Sequence, residues 1–60
     1  MNKQLLDASI EGDANLVGLL LDRGADVNSK NEYGCTPLYL ASIDGYIDVI
    51  KLLALYGAKE

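Results

Sequence analysis

Histidine, tryptophan and phenylalanine are absent from this 60-residue chain, and cysteine, proline and methionine occur once each. Each scarcity removes a class of chemistry. With no histidine and only Cys35, a zinc site lacks ligands, and no cofactor is expected. The same lack leaves Cys35 without an imidazole base, so nucleophilic catalysis has no machinery and the chain reads as a non-enzyme. One cysteine cannot close an internal disulfide, which fits a reducing, intracellular and cytoplasmic setting. Positive charge is also scarce: five Lys and Arg stand against nine Asp and Glu, for a net charge of −4, and the basic residues do not cluster. Nucleic acid and anionic membrane are therefore poor partners. No apolar run is long enough to span a bilayer, and the first four residues lead only into the Leu5-Leu6 pair, so no secretory leader is read.

What is present is order. Half of the residues are hydrophobic, which argues against a disordered chain. A shift of 33 residues lays the sequence on itself: Leu5 on Leu38, Ala8-Ser9-Ile10 on Ala41-Ser42-Ile43, Gly12 on Gly45, Leu19-Leu20 on Leu52-Leu53, and Gly24-Ala25 on Gly57-Ala58. Conservative pairs fill the gaps: Glu11 with Asp44, Leu16 with Val49, Val17 with Ile50. A fixed period of this length marks a repeat architecture.

Each unit reads as two helices, spanning about 3–11 and 14–22, then 37–44 and 47–56. Thr36 can cap the third with its hydroxyl, and Pro37 suits the first helical position, where no N–H is needed. Asp13 suits the cap of the second, at its positive end. Gly12, Gly24, Gly45 and Gly57 each follow a helix, as a left-handed stop does. Leu16, Leu19 and Leu20 recur at i, i+3, i+4, as do Val49, Leu52 and Leu53, giving each second helix one apolar stripe. Between the units, the polar segment "GADVNSKNEYG" (residues 24–34) reads as a hairpin-like loop.

These residues together resemble an ankyrin-repeat protein: Gly34-x-Thr36-Pro37-Leu38-Tyr39-x-Ala41, Gly45, Leu52-Leu53 and Gly24-Ala25-Asp26-Val27-Asn28, at a 33-residue period over nearly the whole chain. The resemblance implies an all-α solenoid of two helix-turn-helix units joined by a finger loop. Residues 1–30 would form a first, cap-like repeat and residues 31–60 a second, truncated after its second helix. It also implies a non-catalytic module that binds another protein through the finger and the concave face of the first helices. On that basis Glu32, Tyr33 and Cys35 would sit on the finger. Ile43 and Asp44 would end one first helix, with Ile10 and Glu11 as their counterparts, and Arg23 and Tyr56 would occupy a variable position before the glycine. Asn28, with Leu20, Asp26 and Val27, is similar to the pattern in ankyrin substrates of asparaginyl hydroxylase, although the same residues also build a finger turn. Tyr39 stands where the family usually has a histidine that links neighbouring loops. The rival to partner binding is a designed or excised two-repeat folding unit with no partner of its own.

Ordinary packing competes with binding at several of these positions. Tyrosine is a good interface anchor, and Tyr33 is weighed as one, whereas Tyr39 and Tyr46 read as packing replacements for family histidines. Ile10 and Ile43 could form one apolar patch or be isolated surface residues. Asp7, Glu11, Asp44 and Asp48 read as solvated helix faces rather than acid–base pairs. The stripe Asn15, Gly18, Asp22 suits water, but its counterpart is Asp48, Lys51, Leu55, and Asp7 likewise becomes Leu40. The first unit thus reads as a terminal cap and the second as an internal repeat. The expectation is an N-terminal part of a longer array, marginally stable alone or self-associating through Leu40, Ile47, Ile50 and Ala54.

Overall fold

The computed structural model describes residues 1–58; the last two residues of the second unit lie outside them. Four helices form: α1 (Asn2–Glu11), α2 (Ala14–Asp22), α3 (Pro37–Ile43) and α4 (Ile47–Leu55). Their ends fall within one residue of the sequence-based bounds, and no strand occurs among the described residues.

Local chemistry sets these boundaries. Asp13 caps α2 by accepting the Leu16 N–H on Oδ1 at 3.2 Å, and Thr36 caps α3 by accepting the Tyr39 N–H on Oγ1 at 3.2 Å. Both caps satisfy a donor that the first helical turn leaves free. Every helix then stops in the same way. Beyond α1, the Asp13 N–H returns to the Ala8 carbonyl; beyond α3, the Tyr46 N–H returns to Ala41; Ala25 and Ala58 do likewise to Leu20 and Leu53. This is the Schellman closure, and it needs a left-handed residue just past the helix. Gly12 (φ 75°) and Gly45 (φ 69°) supply it at the two tight turns within the units.

The hairpins pack on each other, but the stripe Leu16, Leu19, Leu20 of α2 is not the face that is buried. Leu16 and Leu20 are half-buried and Leu19 is 47% exposed, whereas Val17 and Leu21 are buried; α4 buries Val49 and Leu53 and half-buries Leu52. α1 packs on α2 and α3, and α4 packs on α3 and α2, so α1 and α3 form one layer and α2 and α4 the other. The shared core is Leu5, Ala8, Val17, Leu21, Ala25, Ala41, Val49 and Leu53. Ser9 is the one buried polar residue among those described, and its hydroxyl donates to the Leu5 carbonyl at 2.8 Å. Hydrogen bonding of this kind removes the cost of burying a hydroxyl.

Two other expectations about faces change. Gly18 does not belong to a water-facing stripe. It is half-buried, and a Cβ on it would lie 3.8 Å from Leu52 Cδ1 on α4. Asn15 and Asp22 are exposed as expected. The two tyrosines read as packing residues separate: Tyr46 packs against the core, whereas Tyr39 is 56% exposed.

Candidate functional site: a groove between the first helix and the finger

The finger, residues 24–36, is shaped by two carboxyl or amide side chains rather than by a strand ladder. Asp26 Oδ1 accepts the Asn28 N–H at 2.9 Å, and the Asp26 carbonyl accepts the Ser29 N–H. Asn31 Oδ1 accepts from both Tyr33 N–H and Cys35 N–H, each at 2.9 Å. The Asn31 carbonyl accepts from Gly34 N–H, and its own N–H donates to the Cys35 carbonyl. Short Asn and Asp side chains form such local turns readily. The finger root is fastened to α1 by the Asp26 N–H, which donates to Asn2 Oδ1 at 2.8 Å.

This fastening folds the finger over α1 and leaves a groove of about 440 Å³ between them. One wall is the α1 face formed by Lys3, Leu6, Asp7 and Ile10, spaced i, i+3, i+4, i+7. The other wall is Lys30, Asn31 and Glu32 of the finger. Leu6 is 7% exposed and makes an apolar floor, and Ile10 is 47% exposed at one end. The groove therefore combines apolar surface with charges of both signs, a composition that suits a polypeptide better than a small apolar ligand.

The residues singled out in the sequence divide around this groove. Ile10 and Glu32 line it. Tyr33 projects from the finger tip and is 82% exposed. Cys35 is half-buried, with its backbone engaged by Asn31. Glu11, Asp44 and Arg23 are exposed, Ile43 is 62% exposed and Tyr56 41% exposed, but none of these five is in the groove wall. Arg23 and Tyr56 cap the C-terminal ends of α2 and α4, in the other helix layer. Asn28 is half-buried at the Asp26 turn. Lys3 and Leu6, with Asn2, Lys30 and Asn31, also line the groove without being singled out as binding residues, and Asp7, read only as part of a solvated helix face, lines it too. The helical spacing of the first two was visible, and an asparagine three residues before Gly34 is a turn cue. That the finger would lie against α1 had no local signal.

A family model described as "Ankyrin repeats (many copies)" matches residues 5–54. The chain belongs to the ankyrin-repeat family. Among curated relatives, protein phosphatase 1 regulatory subunit 27 of Homo sapiens is 41% identical over 56 residues, which is 93% of this chain and 36% of that protein. Serine/threonine-protein kinase 12 of Arabidopsis thaliana is 46% identical over 53 residues, 88% of this chain but 12% of the kinase. A Rickettsia felis sequence carrying an ankyrin repeat designation is 36% identical over 52 residues, 87% of this chain and 82% of its own length. The chain thus spans about a third of the length of the phosphatase regulatory subunit that it matches. Ankyrin repeats are in general protein-interaction modules, and the all-α helix-turn-helix arrangement here agrees with the family. Among the described residues, no helix is long and apolar enough to cross a membrane.

Proposed function

We propose that this ankyrin-repeat chain is a non-catalytic module that holds a protein partner in the groove between α1 and the finger. The carrying observation is the groove itself: an apolar floor at Leu6, an exposed apolar shoulder at Ile10, and a rim of Lys3, Asp7, Lys30 and Glu32. Interfaces of this kind take their energy from a few central apolar or aromatic anchors, while rim charges set orientation and on-rate. Ile10 is the anchor in the groove, and Tyr33, next in sequence to the lining residue Glu32, is an exposed aromatic anchor beside it. Ile43 is an exposed apolar residue at the equivalent place on the second unit, and Tyr56 offers an aromatic contact on the other helix layer.

A displayed peptide library selected against the folded chain tests this. Binders should weaken at least about tenfold on Ile10→Arg and Tyr33→Ala. They should hold on Asp48→Ala and Lys51→Ala, which alter the exposed side of α4. Binders that depend on Asp48 and Lys51 but ignore Ile10 would move the site elsewhere. A library that returns no groove-dependent binder would favour a folding unit without a partner of its own.

A further inference from the structure

The serine hydroxyls of this chain fall into two groups. Ser9 Oγ donates to the Leu5 carbonyl at 2.8 Å, and Ser42 Oγ donates to the Leu38 carbonyl at 2.6 Å. Ser29, the third serine, sits in the finger, and its Oγ is shut off from solvent with no hydrogen-bond partner. No other buried side-chain oxygen or nitrogen among the described residues is left in that state. An enclosed hydroxyl without a partner disfavours the conformation that encloses it, by roughly five- to a hundredfold in an equilibrium constant.

The finger around Ser29 is lightly fastened. Between Ala25 and Pro37 no residue is buried. From Ser29 to Cys35 the backbone N–H bonds all end within the finger, on Asp26, Asn31 or Cys35. The finger is tied to the helices by the Asp26 N–H on Asn2 Oδ1, and by half-buried Val27 packed against the core. Its two ends are fixed independently: the Ala25 N–H closes α2 on the Leu20 carbonyl, and Thr36 caps α3. A segment with little buried apolar surface and few bonds to its surroundings opens at a lower free energy than the whole fold.

We propose that residues 26–35 form a strap that opens and closes over α1 while the four helices stay folded. The bond between Asn2 and Asp26 is its latch and holds it shut. The enclosed Ser29 hydroxyl works against the latch, because it reaches water only when the strap lifts. Lys30, Asn31 and Glu32 form one wall of the groove, so lifting the strap removes that wall and bares the Leu6 and Ile10 side of α1. The strap thus gates the groove, and its motion does not depend on what the groove holds.

Amide hydrogen exchange at a series of low urea concentrations reads this motion in the parent chain. Relative to their unstructured rates, the Asp26 and Cys35 N–H groups should exchange at least about tenfold faster than those of Leu21 and Leu53 in the helices. Their exchange should also depend little on urea, since opening the strap exposes little surface. Ser29→Ala removes the unpartnered hydroxyl and should slow exchange at Asp26 and Cys35 by at least about fivefold. Neither amide adjoins residue 29, so the substitution leaves their unstructured rates alone. Asn2→Ala should speed exchange at Cys35 by about two- to tenfold, which a bond acting only at the finger root would not do. The proposal is overturned if Asp26 and Cys35 share the urea dependence of Leu21 and Leu53, because the finger then opens only when the helices unfold. It is overturned as well if both exchange at unstructured rates, or if Ser29→Ala leaves their exchange unchanged. A Ser29→Ala chain that circular dichroism shows to be unfolded counts against it too, since the hydroxyl would then be holding the finger shut.

Discussion

The two helical hairpins share nine identical residues at a 33-residue offset, yet the same side chain has different consequences in each. Leu53 is fully buried in the second unit, and Leu20, its identical counterpart, is only half-buried in the first. Ser9 is sealed in the core, while Ser42 makes the same bond to the carbonyl four residues back at an exposed position. In a stack each unit covers one side of its neighbour, so burial follows position in the stack more than residue type. At positions where the other unit is covered, the first unit exposes Gln4, Asp7 and Asp13 and the second exposes Tyr39, Ile47 and Ala54.

The comparison breaks most easily at the leucines. Leu53→Ala should destabilise by about 2–5 kcal/mol, the usual range for emptying a buried leucine site. Leu20→Ala should cost less than half as much, because water already reaches that position. Urea denaturation of both variants is the check, and equal losses would mean that the two sites are equally enclosed. In so short a chain, the larger loss is enough to leave Leu53→Ala largely unfolded.

The glycine pair is next. An alanine in the left-handed region costs roughly 1–2 kcal/mol at either Gly12 or Gly45. Gly12→Ala must also displace the Tyr46 ring, adding about 1–3 kcal/mol of overpacking. Thermal melts should therefore rank Gly12→Ala below Gly45→Ala, and the reverse order would remove the ring contact from the junction. Gly45→Val should be worse than Gly45→Ala, since branching at Cβ resists positive φ further.

The caps should behave alike despite their different chemistry. Thr36→Ala and Asp13→Ala each lose one side-chain bond to a helix N–H and should each cost about 1 kcal/mol. A Thr36→Ala chain that melts with the parent would show that Pro37 alone fixes the start of α3. The smallest effect belongs to Leu55, which is 80% exposed opposite Asp22 in the repeat alignment. Leu55→Lys should change stability by no more than about 0.5 kcal/mol. A large loss would mean that this leucine is covered in solution.

Much of this molecule follows from local sequence. The 33-residue period is read by laying the chain on itself, and the Thr36-Pro37 start, the Asp13 cap and the glycines after each helix act through hydrogen bonds and backbone preferences spanning at most five residues. These settled the number of helices, their ends and the family. The Asn31 turn was written just as locally, as an amide side chain able to accept two N–H groups, although it was not singled out. What only the tertiary structure decided is which copy of each repeated residue is covered. Identical residues carry identical propensities, so nothing local separates Gly12 from Gly45 or Leu53 from Leu20. The distinction arises when Tyr46 crosses to the first unit, when Leu52 comes to face Gly18, and when the finger, held by Asn2 at Asp26, lies down over α1 to make the groove. Those contacts join residues 24 to 34 positions apart, where packing and not propensity sets the outcome.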